Sequence, residues 1–427
     1  MSSSDVAPRS ELTIRGIVLG VAITLIFTAA QIYLGLKIGL TFATSIPAAV
    51  ISMALLRAFR TATIQENNIV QTIASAAGTL AATIFVLPGL IIIGWWAEVP
   101  FWTTFFACAI GGTLGVMYTI PLRRALVTHS DLPYPEGVAA AEVLKVGATG
   151  DEASPDALER DRGPLIVLWG AIVSAFMLAM TYIGIAIGEV TKYFRVGVAM
   201  ATGVDFQPSL ALLGAGHLVG LSVGIAQLVG VLTCWAVFVP MWSEPAIAAA
   251  GANADIATIV DTVWHRVRYV GAGAIGVAAI WSLIKLVVPV LGGMIETARA
   301  AKAAKGTASA YEDRDIPGFW IVALSLLSLV GTGALFWQFI QGTPLEPMTV
   351  FLVIGGVLFT TVIGFFVATV AGYMAALIGA SNSPVSGIGI LATLIGASLL
   401  ALFVAPVLGV NATQAMVAFT LFAVAVV

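Results

Sequence analysis

The sequence predicts an all-α polytopic membrane protein, with about 11 transmembrane or re-entrant helical segments, some of them broken. Three observations predict it. Hydrophobic residues make up 59% of the chain and charged residues only 10%, whereas a soluble domain carries about 25% charged residues; the mean hydropathy is +1.03. Apolar runs long enough to cross a bilayer, which takes about 20 residues, recur from one end of the chain to the other. Among them, residues 379–389 read Gly-Ala-Ser-Asn-Ser-Pro-Val-Ser-Gly-Ile-Gly. That run cannot be a smooth lipid-facing helix. In hydrocarbon every backbone N–H and C=O needs a partner, so such a break persists only where it is buried in protein or lines a cavity. Broken helices near the midplane are how many secondary transporters build their sites.

In chain order the expected spans are Ile14–Leu34, Ile38–Leu56, Asn68–Ile93, Trp102–Leu122, Leu165–Ile187, Leu210–Val239, Val270–Leu291, Phe319–Ile340, Met348–Val370 and Ile388–Val407, with a last one opening near Asn411. Soluble stretches are expected at Arg123–Gly163, around Pro240–Arg268 and at Glu296–Pro317. Within the first, residues 136–147 look helical, with Ala, Val and Leu on one side. From Asn411 the chain offers about 17 residues and no polar tail, short of a full span. The chain is therefore expected to be the N-terminal part of a longer single transport domain; a tilted or half-inserted terminal helix is the other reading.

The polar N-terminus leads into an apolar run too long for a signal-peptide core, so the first span is expected to be retained. Lys and Arg placement sets orientation. Arg9, Arg15, Arg57 and Arg60 put the N-terminus in the cytoplasm. The loops at about 123–163 and 296–317, with Arg123, Arg124, Arg299, Lys302 and Lys305, are expected inside as well. Simple counting of spans places the second of these loops outside. One element between Leu165 and Leu291 is therefore re-entrant or miscounted, and the over-long, Gly-rich Leu210–Val239 is the leading candidate.

Composition also excludes. No basic stripe is present and the pI is near 5.6, so no nucleic acid is expected. Cys108 and Cys234 make neither a disulfide framework nor a metal set. There is no His-Glu-x-x-His, no Gly-x-Ser-x-Gly and no P-loop, so neither an enzyme nor direct ATP use is expected, and no cofactor or metal.

Several constellations are able to carry chemistry. Tyr33-Leu-Gly-Leu-Lys-Ile-Gly sets Lys37 between Gly35 and Gly39, between two apolar stretches. An intramembrane Lys is costly unless paired or wet; it holds a substrate carboxylate or an acid, or it snorkels from a short loop to the headgroups. In Glu66-Asn-Asn-Ile-Val-Gln, helical spacing makes Asn67, Gln71 and Ser75 one polar stripe, with Asn68 beside it. Amides donate and accept, which suits peptide-like or chelate ligands; a helix cap with interfacial amides is the other reading. Glu66 is the neighbouring proton-carrier candidate. In Asp131-Leu-Pro-Tyr-Pro-Glu-Gly, two prolines stiffen the turn before Glu136, which is either a proton-coupling acid or an acidic first turn. His217, in an apolar Gly-rich span, shuttles protons or simply packs. In the 379–389 break, Ser381, Asn382 and Ser383 supply polar groups; Asn382 binds ligand or ties the break together.

Four of these stretches, Tyr33-Leu-Gly-Leu-Lys-Ile-Gly-Leu-Thr, Glu66-Asn-Asn-Ile-Val-Gln-Thr, Leu132-Pro-Tyr-Pro-Glu-Gly-Val-Ala-Ala-Ala-Glu-Val-Leu and Gly379-Ala-Ser-Asn-Ser-Pro-Val-Ser-Gly, come in one order across most of the chain. Together they resemble the oligopeptide transporter (OPT) family, which includes the Yellow Stripe-like metal–chelate carriers. The resemblance implies proton-coupled import of small peptides or peptide-like metal chelates. Members of the family run well past this chain's length.

The expectation is thus a symporter in the plasma (inner) membrane. Its partners would be a small peptide or chelate substrate, protons and the lipid bilayer, with a homodimer left open. Expected substrate-binding residues are Tyr33, Lys37, Asn67, Asn68, Gln71, Ser381, Asn382 and Ser383. Expected proton-coupling residues are Glu66, Glu136 and His217. A passive pore for small polar solutes is the leading alternative, and an intramembrane enzyme the remotest.

Overall fold

The structure is a computed structural model that describes residues 12–38, 44–56, 63–123, 126–127, 132–147, 163–183, 185, 190–206, 213, 217, 221–251, 255–271, 273–274, 277–278, 281, 315–379 and 385–427. It divides into two compact units, Met1–Ser154 with Ala278–Val427, and Pro155–Val277.

The first unit contains α1 (Ile14–Ile38), α2 (Ser45–Leu56), α3 (Ile64–Leu80), a 3₁₀ segment (Ala81–Phe85), α4 (Pro88–Ile92), α5 (Phe101–Arg123) and α6 (Pro135–Gly147). The second holds α7 (Gly163–Tyr182), an antiparallel hairpin of β1 (Val190–Val196) and β2 (Met200–Phe206), α8 (Leu221–Leu232), a π-helical stretch (Thr233–Phe238), α9 (Val239–Ala250) and α10 (256–271). The first unit resumes with α11 (Gly318–Ile340), α12 (Thr349–Ile378), α13 (Val385–Phe403), the one-turn α14 (Ala405–Leu408) and α15 (Thr413–Val426).

Among the described residues five helices are long and apolar enough to cross a membrane: Ile14–Leu36, Phe101–Arg123, Gly224–Ala250, Gly318–Ile340 and Glu346–Ala376. The chain is a polytopic, overwhelmingly helical membrane protein, as its composition predicts. Several expected spans take another form. The described part of α2 has 12 residues, about 18 Å of helix, and opens at Ser45, inside the span expected at Ile38–Leu56. The span expected at Asn68–Ile93 breaks: α3 gives way to the 3₁₀ segment, and Pro88, without an N–H, cannot continue the helical bonds and opens α4 instead.

In the first unit, α15 is the hub. Ala418, Phe419, Phe422 and Ala423 are buried among Phe336, Ile340, Leu345, Leu352 and Leu90. The Phe339 and Phe422 rings stack at 4.5 Å, and Phe336 meets Phe419 edge-on at 5.3 Å. A second contact zone joins α1, α2 and α3 around Ile23, Ala48, Leu56, Val70 and Ala74. There α1 and α3 run parallel and very close. A Cβ on Gly20 would lie 2.9 Å from Ile73 Cβ, and one on Gly16 would lie 3.4 Å from Glu66 Cγ. Thr24, one turn further on, donates to the Ile73 carbonyl at 3.0 Å. Gly16, Gly20 and Thr24 are thus a small-residue stripe of the kind that lets membrane helices approach.

In the second unit, the region around Pro240–Arg268, expected to be a soluble stretch, is largely helical. The helix after Leu232 does not end at Val239 but runs through Pro240 to Ala250. Pro240 has no N–H to offer the Trp235 carbonyl five residues back in the π register; the Thr202 hydroxyl of β2 donates to that carbonyl instead. Ser243, fully buried, accepts from the Ala201 N–H at 2.8 Å and donates towards the Ala201 and Pro240 carbonyls at 3.0 and 2.8 Å. Val260, Val263 and Val267 bury one side of α10 against Val239, Ile247 and Ala201, and Trp264 stacks on Trp235 at 4.9 Å. The other side of α10 exposes Asp261, His265, Arg266 and Arg268, a water-facing surface. Asp255 caps the helix; the Thr258 hydroxyl at 2.7 Å holds its carboxyl below the ordinary value.

The close α1–α3 approach generates a prediction. Gly20→Val overpacks the joint and should cost about 1–3 kcal/mol. Gly115→Val on α5, where a Cβ meets nothing within 4 Å, should leave stability nearly unchanged. Thermal midpoints of the purified variants in detergent check the contrast.

Candidate functional site

Thr13 and Thr63 organise one end of the α1–α3 pair. The Thr13 hydroxyl accepts from the Gly16 N–H at 3.0 Å and the Thr63 hydroxyl from the Glu66 N–H at 3.1 Å, so each caps its helix. In a capping box the acid at this position would fold back on its own cap. Glu66 reaches across to α1 instead. Arg15 Nε donates to its Oε1 and Nη2 to its Oε2, each at 2.6 Å, a two-pronged pair, and the Thr13 hydroxyl donates to Oε1 as well. The Glu66 side chain is 1% exposed.

α3 presents three sides. Glu66, Val70 and Ile73 meet α1. Asn67 meets α2: its Oδ1 accepts from Ser52 at 2.7 Å and its Nδ2 donates to the Thr63 carbonyl at 3.1 Å. The amide expected to open the stripe is therefore used up in a helix–helix joint. The third side carries Gln65, Asn68, Gln71, Thr72 and Ser75, brought together by the 3.6-residue period. Thr72 and Ser75 satisfy themselves by donating to the Asn68 and Thr72 carbonyls at 2.8 and 2.9 Å. Among the described residues the amides of Asn68, which is exposed, and Gln71, which is half-buried, make no hydrogen bond. Gln65 Oε1 is buried and accepts none either. Sequence reasoning missed Gln65 and took Asn67 in place of Asn68 as the stripe member. The signal for choosing was the α2 contact, which a helical wheel does not contain.

The Glu136 motif and the break at Gly379 come together. α12 ends at Gly379, whose φ of +92° and ψ of 156° favour glycine. The Glu136 carboxyl lies over it: a Cβ there would stand 2.6 Å from Oε1. Just before α6, the Tyr134 N–H donates to the Ala376 carbonyl at 2.9 Å, and the Tyr134 hydroxyl donates to the Leu126 carbonyl at 2.7 Å. Tyr134 holds φ +44°, the one positive value among the described non-glycine residues. A bulky residue in that region stores about 1–2 kcal/mol.

The other expected site residues are dispersed. Tyr33 is exposed on the last turns of α1, while Lys37, expected in a break, continues that helix, with its side chain outside the described part. Ser381, Asn382 and Ser383 lie outside the described residues, and exposed His217 belongs to the second unit. Among the described residues no group of three His, Cys, Asp or Glu side chains could hold a metal ion.

The division of labour on α3 predicts a contrast. Asn67→Ala loses an interhelical bond and should lower stability by about 0.6 kcal/mol, up to about 1.7. Gln71→Ala breaks no bond and should leave stability as it is. Reversible unfolding in mixed micelles checks the pair.

The OPT oligopeptide transporter protein family matches residues 11–427. A putative oligopeptide transporter of Haemophilus influenzae is 43% identical over 366 residues, covering 85% of this chain and 56% of that protein. The iron-phytosiderophore transporter yellow stripe 1 of Zea mays is 27% identical over 265 residues, covering 55% of this chain and 38% of its own length. A probable metal-nicotianamine transporter of Oryza sativa subsp. japonica is 27% identical over 282 residues, again 55% and 38%. The chain thus spans about half the length, or less, of these curated relatives. No solved structure matches. With a family match over nearly its whole length and a relative at 43% identity, this chain belongs to the OPT oligopeptide transporter family.

Proposed function

We propose that this chain works within a proton-driven secondary transporter that imports small oligopeptides or peptide-like metal chelates, in the plasma (inner) membrane with a cytoplasmic N-terminus. The observation that carries the reading is the third side of α3. Asn68 and Gln71 offer amides without partners among the described residues, in a protein with five helices long and apolar enough to cross a membrane among those residues. Unpaired amides facing lipid are costly, so this side faces a wet path, and amides match the donors and acceptors of peptide bonds and chelates. The Haemophilus relative's name favours peptides and the plant relatives' names favour chelates. Tyr33, Lys37 and the Ser381–Asn382–Ser383 run remain assigned to the substrate path, with Asn67 supporting it through α2. Glu66, Glu136 and His217 remain the proton-coupling candidates. For Glu66 to carry a proton, its pair with Arg15 has to open in one state of the cycle.

The driving force is testable in proteoliposomes that hold the intact transporter. Collapsing the pH gradient with an ionophore should abolish concentrative uptake of a di- to pentapeptide panel or of iron chelates. Accumulation that continues without a gradient contradicts symport, and uptake that never exceeds the outside concentration even with the pH gradient imposed identifies a passive pore.

Glu66→Gln removes the charge while keeping the shape. Gradient-driven uptake should fall about tenfold or more while substrate exchange survives. Wild-type pH dependence in the variant assigns the Arg15–Glu66 pair to structure alone.

A further inference from the structure

We infer that Tyr134 and Glu136 latch the start of α6 onto the end of α12, and that this latch has to open for transport; the inference rests on the transport reading above. The last carbonyls of a helix have no partner within it. At the end of α12 the Ala375 carbonyl is taken by the Gly379 N–H at 3.0 Å, and the Ala376 carbonyl is taken from outside, by the Tyr134 N–H at 2.9 Å. The Tyr134 hydroxyl grips a third segment through the Leu126 carbonyl at 2.7 Å, and Leu126 itself lies against Gly372, whose Cβ would stand 3.4 Å from Leu126 Cδ1. Glu136 closes the contact from above Gly379, where a side chain has neither room nor a suitable backbone conformation.

Two features mark this as a device rather than a plain joint. One of its members, Tyr134, holds a positive φ that packing around it must impose. It also sits in a chain of contacts that reaches the amide face. α6 buries Ala140 and Leu144 and packs on α2; α2 holds α3 through Ser52 and Asn67. A shift of α6 relative to α12 is therefore transmitted to α2 and α3, the helix that carries Asn68 and Gln71. Tyr134 and Glu136 are positioning residues on this account and do not touch substrate.

A disulfide tests it in the intact transporter, in a Cys108→Ala, Cys234→Ala background. The 2.9 Å backbone bond brings residues 134 and 376 within the reach of a disulfide. In the Tyr134→Cys, Ala376→Cys variant, oxidation should slow uptake about tenfold or more, with reductant restoring it, while equilibrium substrate affinity stays within about threefold. Uptake by the oxidised protein at the reduced rate overturns the inference and makes the contact a static joint. If that variant fails to fold, Tyr134→Phe removes the hydroxyl bond to Leu126 alone; a change in uptake rate of about threefold or more at unchanged affinity supports the latch, and an unchanged rate overturns it. The two readings fail separately. If Gln71→Ala keeps full affinity while the crosslink still stops uptake, the latch stands and the amide face is not the binding surface.

Discussion

The hydrocarbon layer offers no water, so each polar group carried into it has to be satisfied by the protein or by a wet cavity. Many hydroxyls of the first unit obey this constraint, although those of Thr104, Tyr118 and Thr360 are buried without a hydrogen-bond partner among the described residues. Thr24, Thr113, Thr361, Thr369, Thr393 and Thr420 each donate to the carbonyl four residues back on their own helix. Glu66 spends both carboxylate oxygens on Arg15, and Asn67 spends both ends of its amide on Ser52 and Thr63. In the second unit the carbonyl stranded by Pro240 is met by Thr202. Against that background Gln65, Asn68 and Gln71 stand out, three amides on one side of one helix.

That helix is also held on two sides from elsewhere. α1 approaches it over Gly16 and Gly20, the Arg15–Glu66 pair fastens its first turn, and α2 clamps its flank. A site built on such a helix gains precision, because the orientation of Asn68 and Gln71 is set by contacts that do not involve them. The same clamps give it a means of moving as a body with α1 and α2. α6 leans on α2, and its entry turn ends at the glycine that terminates α12.

Much of the fold was legible in the sequence wherever a helix was long and uniformly apolar. Trp102–Leu122 is one residue shorter than α5 at each end, and Phe319–Ile340 is one residue shorter than α11 at its start. The shorter elements were not, because hydropathy reports burial in a membrane or in protein alike. α2 is apolar like a span, yet it opens at Ser45 rather than at Ile38, where α1 still runs. The α3–α4 break follows from Pro88, which sits inside an unbroken apolar run. The β hairpin carries a strand rich in β-branched and aromatic residues, Val190–Val196, and a turn at Gly197 with φ +70°, a signal hidden between apolar segments that drew the eye to helices. At the candidate site, the end of α12 at Gly379 and the polarity of α3 were visible from composition. Which α3 amide stays open was not, since that depends on Ser52 arriving from α2. Nor was the meeting of Glu136 with Gly379, two stretches far apart in the chain that only the tertiary structure joins.

The central claim is that one side of α3 faces water and substrate while the other two are dry. A single-cysteine scan along residues 63–80, in a background without Cys108 and Cys234, measures it most directly through the labelling rate with a small, membrane-impermeant thiol reagent. The account predicts helical periodicity, with fast labelling at 65, 68, 71, 72 and 75, slow labelling at 66, 67, 70 and 74, and selective slowing of the fast set by substrate. Uniformly slow labelling, or fast labelling that substrate leaves untouched, would contradict it.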